Sequence, residues 1–248
     1  MVSNKIISFF IDNFPSLNEV LIGGPISLIL AYLFLYFAGY LKANNGFKTG
    51  YSRKIFHFTV FGSVALIHRI WGTSTVCLFG AMTTLVIFYA ILCGPGNILY
   101  EAMAREKDAP HRTHYIVIPY FATLLGGIIT NIFFGPIAVI GYLVTGLGDA
   151  IGEPVGTKYG KHRYPTPSLH SIRSERTIEG SVAVLLASSI AITIGIALLP
   201  EIEFSSYCLL TIPLLSIIST ITEALSPHGW DNTTMQVVPV LCASYLLR

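Results

Sequence analysis

Eight apolar runs, at about 21–41, 55–71, 76–99, 115–134, 137–151, 179–199, 207–225 and 236–247, take up most of this chain. A helix that crosses a bilayer needs roughly 20 mostly apolar residues, and in lipid a spanning segment must satisfy its own backbone hydrogen bonds. The runs therefore predict an all-α protein, a polytopic transmembrane helix bundle of about seven or eight spans. The runs at 137–151 and 236–247 are short and are expected either to extend into the polar motifs beside them or to cross only part of the bilayer. Composition agrees, with 53% hydrophobic and 11% charged residues against about 25% charged in soluble domains. A soluble chain this apolar would leave large bare patches in water. Cys77, Cys93, Cys208 and Cys242 all sit inside apolar runs without a CxxC pair, which argues against a disulfide framework or a zinc site.

Glycine and proline mark the breaks between runs, at Gly94-Pro95-Gly96, Gly135-Pro136 and Pro200. No fixed-period repeat is evident, so residues 1–248 read as one membrane-embedded domain, with residues 1–14 a candidate interfacial helix. Alternating the direction of successive spans sorts the loops into two sets. Segments 42–54, 100–114, 152–178 and 226–235 hold 12 of the 15 Lys and Arg residues; segments 72–75, 135–136 and 200–206 hold none and carry Glu201 and Glu203. Basic loops stay on the cytoplasmic side, so the first set is expected in the cytoplasm and the N-terminus outside.

The polar segments 51–57, 146–181 and 223–232 then share the cytoplasmic face, and ionisable groups at membrane depth usually serve a function. Asp149 lies in Gly146-Leu147-Gly148-Asp149, and Glu153 follows four residues later, so a continuing helix puts both carboxylates on one side. Two carboxylates beside a basic, phosphate-sized site suit Mg²⁺, which commonly takes one or two carboxylates plus phosphate oxygens and water; a solvated helix end is the competing reading. Gly148, Gly152, Gly156 and Gly160 recur every four residues. That spacing fits a small-residue packing stripe, with phosphate contact left open for Gly156 and Gly160. No P-loop or dinucleotide fingerprint occurs in this segment. Lys158, Lys161, Arg163, Arg173 and Arg176 form a cationic cluster flanked by Asp149 and Glu153 before it and Glu179 after it. Such a cluster could neutralise phosphate or touch anionic lipid as a positive-inside loop. Arg53-Lys54 with His57 opens a span, Glu223 closes one and Asp231-Asn232 precedes another. His68, His111, His114, His162, His170 and His228 lack zinc-like spacing, and most read as solvated loop residues.

These segments resemble the polyprenol kinase family, which includes dolichol, phytol and farnesol kinases and the CTP-dependent diacylglycerol kinase, and which is related to the CTP:phosphatidate cytidylyltransferases. The resemblance rests on Arg53-Lys54 with His57, on Gly148-Asp149-Ala150 leading to Gly156-Thr157-Lys158-Tyr159-Gly160-Lys161, on Thr177-Ile178-Glu179-Gly180-Ser181, and on Glu223 with Asp231-Asn232. It covers roughly residues 50–240. Cytidylyltransferases typically end in a longer acidic, glycine-rich signature; the segment Glu223-Ala224-Leu225-Ser226-Pro227-His228-Gly229-Trp230-Asp231-Asn232 resembles the kinase branch. Family members often carry Lys-Ser before Glu-Gly-Ser, where this chain has Arg176-Thr177.

The resemblance implies phosphoryl transfer from CTP, with ATP as the alternative donor, to a membrane lipid alcohol: phytol, farnesol, a polyprenol or diacylglycerol. It implies no nucleic-acid partner. Asp149 and Glu153 would hold Mg²⁺; Lys158, Lys161, Arg176, Gly156, Gly160 and Asn232 would contact the nucleotide; Arg53 and Lys54 would close the pocket from another helix. Asp231 would orient or deprotonate the lipid hydroxyl, with Glu179 and Glu223 as rivals. The membrane would be the plasma membrane in a prokaryote, or that of the endoplasmic reticulum or a plastid in a eukaryote. The alternatives are a CTP:phosphatidate cytidylyltransferase and, from another class, a lipid transporter; the clustering of charge at one interface argues against the latter.

Overall fold

Apolar side chains face outward in this protein and many polar ones face inward. The computed structural model describes residues 2–167, 174–202, 204, 206–227 and 229–247, with the backbone alone for 2, 3, 107, 174 and 206. Phe37, Leu92, Leu186 and Leu210 are exposed, whereas Ser188, Thr211, Ser216, Ser219 and Gln236 are buried. That distribution suits lipid, which does not penalise an exposed leucine but does penalise a bare hydroxyl.

The helices are α1 (Val2–Asp12), α2 (Gly24–Asn45, entered through a π turn at Glu19–Gly23), α3 (Thr49–Cys93), α4 (Ile98–Met103), α5 (His114–Phe134), α6 (Ala138–Leu143), α7 (Ala150–Tyr159), α8 (Ile178–Ala197), α9 (Ser206–Leu225) and α10 (Asp231–Leu246). A second π turn, Val144–Asp149, joins α6 to α7 without a break. Among the described residues, five continuous helices are long and apolar enough to cross a membrane: Glu19–Asn45, Thr49–Cys93, His114–Tyr159, Ile178–Ala197 and Tyr207–Leu225. The chain divides into two compact units, Met1–Ile116 and Val117–Arg248.

In the first unit, α3 is twice the usual length because two helices meet at Gly72, whose φ of 81° only glycine adopts readily. Side-chain contacts show that the chain reverses there. Lys42, near the end of α2, pairs with Glu106 at 2.7 Å, and Thr49, at the start of α3, donates to the same carboxylate at 2.9 Å. Thr75, just past Gly72, donates instead to Glu19 at 3.4 Å, about 34 Å back along α2 at 1.5 Å per residue. Glu101 then returns to Lys42 at 3.2 Å. Three passes therefore lie side by side, and Gly39 makes room for them: a Cβ there would sit 2.4 Å from the Ile98 carbonyl oxygen.

The ionic cluster at this end holds the start of α3, the helix that carries Arg53 and Lys54. Arg112 reaches Glu101 at 2.6 Å, and Ser52 donates to the Ala102 carbonyl at 2.9 Å. Lys54 is buried there and Arg53 is half-buried.

The second unit contains α5 after its first turn, α6 to α10 and a two-stranded antiparallel hairpin, β1 (Arg163–Thr166) and β2 (Ser174–Thr177), in which Tyr164 opposes Arg176. The basic segment therefore contains regular structure that the charge pattern had not revealed. A turn at Gly135 (φ 55°) leads from α5 into α6.

The Arg112 guanidinium beside Glu101 holds that carboxyl down at about 2 from its ordinary 4.5, against the opposing effect of partial burial. A depressed folded-state value stabilises the fold above pH 4.5, and that stability is lost as pH falls from about 4.5 towards 2. Thermal unfolding in detergent across that window is expected to show a loss that is smaller in Glu101→Gln, because the variant has no carboxylate there to titrate.

Candidate functional site

The site in the second unit rests on the close approach of two antiparallel helices. A Cβ on Gly195 would lie 2.9 Å from Ile140, one on Gly148 2.6 Å from Ser188 Oγ, one on Gly152 2.6 Å from Val184, and one on Gly156 2.7 Å from Thr177 Oγ1. The glycine stripe thus packs α6, the π turn and α7 against α8 at backbone distance. Gly160 also faces Thr177, with 2.4 Å between its added Cβ and the Thr177 methyl. Gly156 and Gly160 are both packing residues here. Thr177 caps α8 by accepting the Gly180 N–H at 3.1 Å, as threonine commonly does at an N-terminus.

This register sets the depth of the carboxylates. Gly148 lies opposite Ser188, eleven residues beyond the cap of α8, or about 16 Å along that helix. Asp149 is therefore well inside the bundle, 5% exposed, and the helix runs on for ten residues to Tyr159. Of the two readings open for the short run at 137–151, the helix takes the extension: packed against α8, it continues through the polar motif. Asp149 closes a π turn in which two of six residues are glycine. Such wide turns are rare, and many of them occur at functional sites. Glu153 lies one turn on and is half-buried.

Three charged side chains converge nearer the end of the bundle. Arg176 on β2 places Nε 3.0 Å from Glu223 Oε1 on α9 and Nη2 3.6 Å from Asp231 Oδ2 at the start of α10. Its Nη1 is buried and has no hydrogen-bond partner among the described residues. Met235, one turn beyond Asp231, packs near Gly148, its Cε 3.5 Å from an added Cβ there. That contact brings the first turns of α10 against the Asp149 segment.

Other candidates lie elsewhere. Asn232 donates to Thr123 Oγ1 at 2.7 Å and to the Pro119 carbonyl at 3.1 Å, so its amide holds α10 against α5. Glu179 accepts from the His162 backbone N–H at 3.3 Å and sits 2.7 Å from His162 Nδ1, apart from the Arg176 pair. Lys158 and Lys161 are exposed, Lys158 over the Tyr159 ring at 5.0 Å. Arg53 and Lys54 belong to the first unit. Arg173, His170 and His228 fall outside the described residues. Among the histidines of which most were expected to be solvated, His68 is buried and lies 3.3 Å from Thr73 Oγ1. Sequence reading also passed over Tyr164, whose hydroxyl meets Ser181 Oγ at 2.6 Å; only the hairpin register brings the two together.

No family model, curated protein or solved structure matches this chain.

Among the described residues, no three His, Cys, Asp or Glu side chains gather closely enough to ligate one metal ion. Asp149 and Glu153, one turn apart on one helix, offer the one or two carboxylates that Mg²⁺ commonly takes from a protein when phosphate oxygens and water complete its shell. The donor chemistry fits that ion.

Gly156→Ala and Gly160→Ala are expected to cost about 1–3 kcal/mol each through overpacking. Gly62→Ala, with nothing within 4 Å of its added Cβ, is expected to be neutral or to stabilise its helix by up to about 1 kcal/mol. Thermal unfolding of the three variants in one detergent checks the ranking.

Proposed function

We propose that this protein is a membrane-embedded lipid-alcohol kinase that moves a phosphoryl group from CTP, or from ATP, to an isoprenoid alcohol or diacylglycerol. The observation that carries this reading is the convergence of Arg176, Glu223 and Asp231, where α10 packs against the Asp149 segment, inside a bundle whose outer faces are apolar. The motif resemblance supports the reading independently. Dividing the two double-length helices at Gly72 and Gly135 and counting α10 gives eight crossings, with the N-terminus outside and the basic segments in the cytoplasm, where nucleotide is present.

Phosphoryl transfer depends mainly on positioning and charge neutralisation. Arg176 binds phosphate oxygens, and the exposed Lys158 and Lys161 attract the polyanion from the cytoplasm. Asp149 and Glu153 would hold Mg²⁺, which would supply positive charge against the nucleotide phosphates. The lipid hydroxyl reaches the site from the bilayer between apolar helices. Its oxygen forms the new bond to the γ-phosphorus as the bond to the CDP oxygen breaks, and the hydroxyl proton passes to Asp231. The products are a lipid phosphate and CDP.

Incubating purified protein with labelled CTP or ATP and a panel of lipid alcohols is expected to yield labelled lipid phosphate. Release of pyrophosphate with phosphatidate as substrate would instead identify a cytidylyltransferase, and lipid flux across vesicles without nucleotide a transporter. Asp149→Asn is expected to insert normally and lose transfer; full turnover by that variant removes Asp149 from the site.

A further inference from the structure

We infer that Glu223 is a positioning residue for Arg176, and that the Arg176–Asp231 contact is a resting-state pairing that nucleotide phosphate displaces. This inference rests on reading the site as one of phosphoryl transfer, and it assigns Glu223 a role other than that of a base.

The flat shape of a guanidinium limits how it can share its donors among anions. Its N–H donors lie in one plane, and two of its edges can each hold a carboxylate or phosphate through two parallel bonds. Glu223 takes Nε at 3.0 Å, and Asp231 approaches Nη2 at 3.6 Å, which is longer than a well-formed charged hydrogen bond. Glu223 therefore holds the Nε side of the fork, and Asp231 touches the nitrogen that the two edges share. The end edge, Nη1 with Nη2, has one nitrogen with no partner among the described residues and the other held only by the long contact. A buried donor left unsatisfied is costly, and the side chain is 16% exposed. The orphaned nitrogen is thus a place prepared for an acceptor.

A phosphate group fits that edge with two oxygens at once. The phosphate charge then lies beside the Asp231 carboxylate at Nη2, where like charges repel, so Asp231 gives up its long contact, whereas Glu223 keeps Nε and holds the plane of the fork in place. Nucleotide binding then releases the Asp231 carboxylate to the lipid hydroxyl. The acid–base group is masked until the donor is bound, which limits turnover to the loaded site. The chain's use of arginine at position 176 follows from this geometry, because a lysine ammonium has no planar edge to share among three anions.

The test measures CTP binding, with Mg²⁺ and with inorganic pyrophosphate as competitor, on the full chain in lipid nanodiscs, together with kcat and KM. Arg176→Gln and Glu223→Gln are each expected to weaken CTP binding roughly tenfold or more, the loss of one charged hydrogen bond. The double variant is expected to bind no more weakly than Arg176→Gln alone, since Glu223 acts through the arginine. Asp231→Asn is expected to shift the other way: CTP binds as tightly as to the wild type or severalfold tighter, while kcat collapses. A structural role for the cluster would weaken binding in all three variants. Additive losses in the double variant, or an Asp231→Asn variant that binds CTP as weakly as Glu223→Gln, overturn the inference and leave the kinase reading standing. A wild-type chain that binds neither CTP, ATP nor pyrophosphate overturns both.

Discussion

The contact between the glycine stripe and α8 is the constraint on which the second unit depends. Side chains on an ordinary helix pair keep the axes 8–10 Å apart. Here Gly148, Gly152, Gly156, Gly180 and Gly195 remove the side chains on one side or the other, and the two helices run past each other at backbone distance. In lipid the hydrophobic effect offers little to drive such pairing, so close van der Waals contact must supply it. That contact fixes how deep Asp149 lies, which turn of α7 carries Glu153, and where Thr177 caps α8. Arg176 immediately precedes that cap. Its reach to Glu223 and Asp231 is a consequence of the same ladder.

A buried ion group in an apolar bundle is unstable unless its charges answer one another. Arg176 meets two carboxylates from two other helices, and each of them is largely buried. The arrangement ties β2, α9 and α10 at one end, while Asn232 and Gln236 tie α10 to α5 through the Thr123 hydroxyl and carbonyl. The first unit has its own version of this device. There Lys42, Glu101, Glu106 and Arg112 bind the end of α2 and the start of α3 to the segment around α4. In both units the ions sit at the ends of long apolar helices, where partial solvation lowers their cost.

Some of the site was legible before folding. Asp149, Glu153, Arg176, Glu223 and Asp231 stood out because a carboxylate or guanidinium beside a membrane span needs a reason to be there. The spacing of the glycines also announced a packing stripe. What stayed hidden was partnership. Nothing local says that Glu179 goes to His162, that the Asn232 amide nitrogen bonds to α5, or that Tyr164 meets Ser181. Each of those contacts joins elements whose mutual register is set by packing, and side-chain hydrogen bonds follow that register. The hairpin was hidden too, because its strands are four residues each and carry polar, charged and proline residues, a composition that the basic loop reading explains equally well.

The amino-acid sequence alone determined that this chain is helical and apolar, because runs of some twenty apolar residues have few other stable forms and their periodic breaks fall at glycine and proline. It determined as well which ionisable residues are costly enough to matter. Tertiary structure decided the rest: that the chain folds back at Gly72, that the helix carrying Asp149 continues past it to Tyr159, and that one arginine serves two acids. Those outcomes depend on distances between segments far apart in sequence, and the energy of a contact at 3 Å cannot be read from either partner alone.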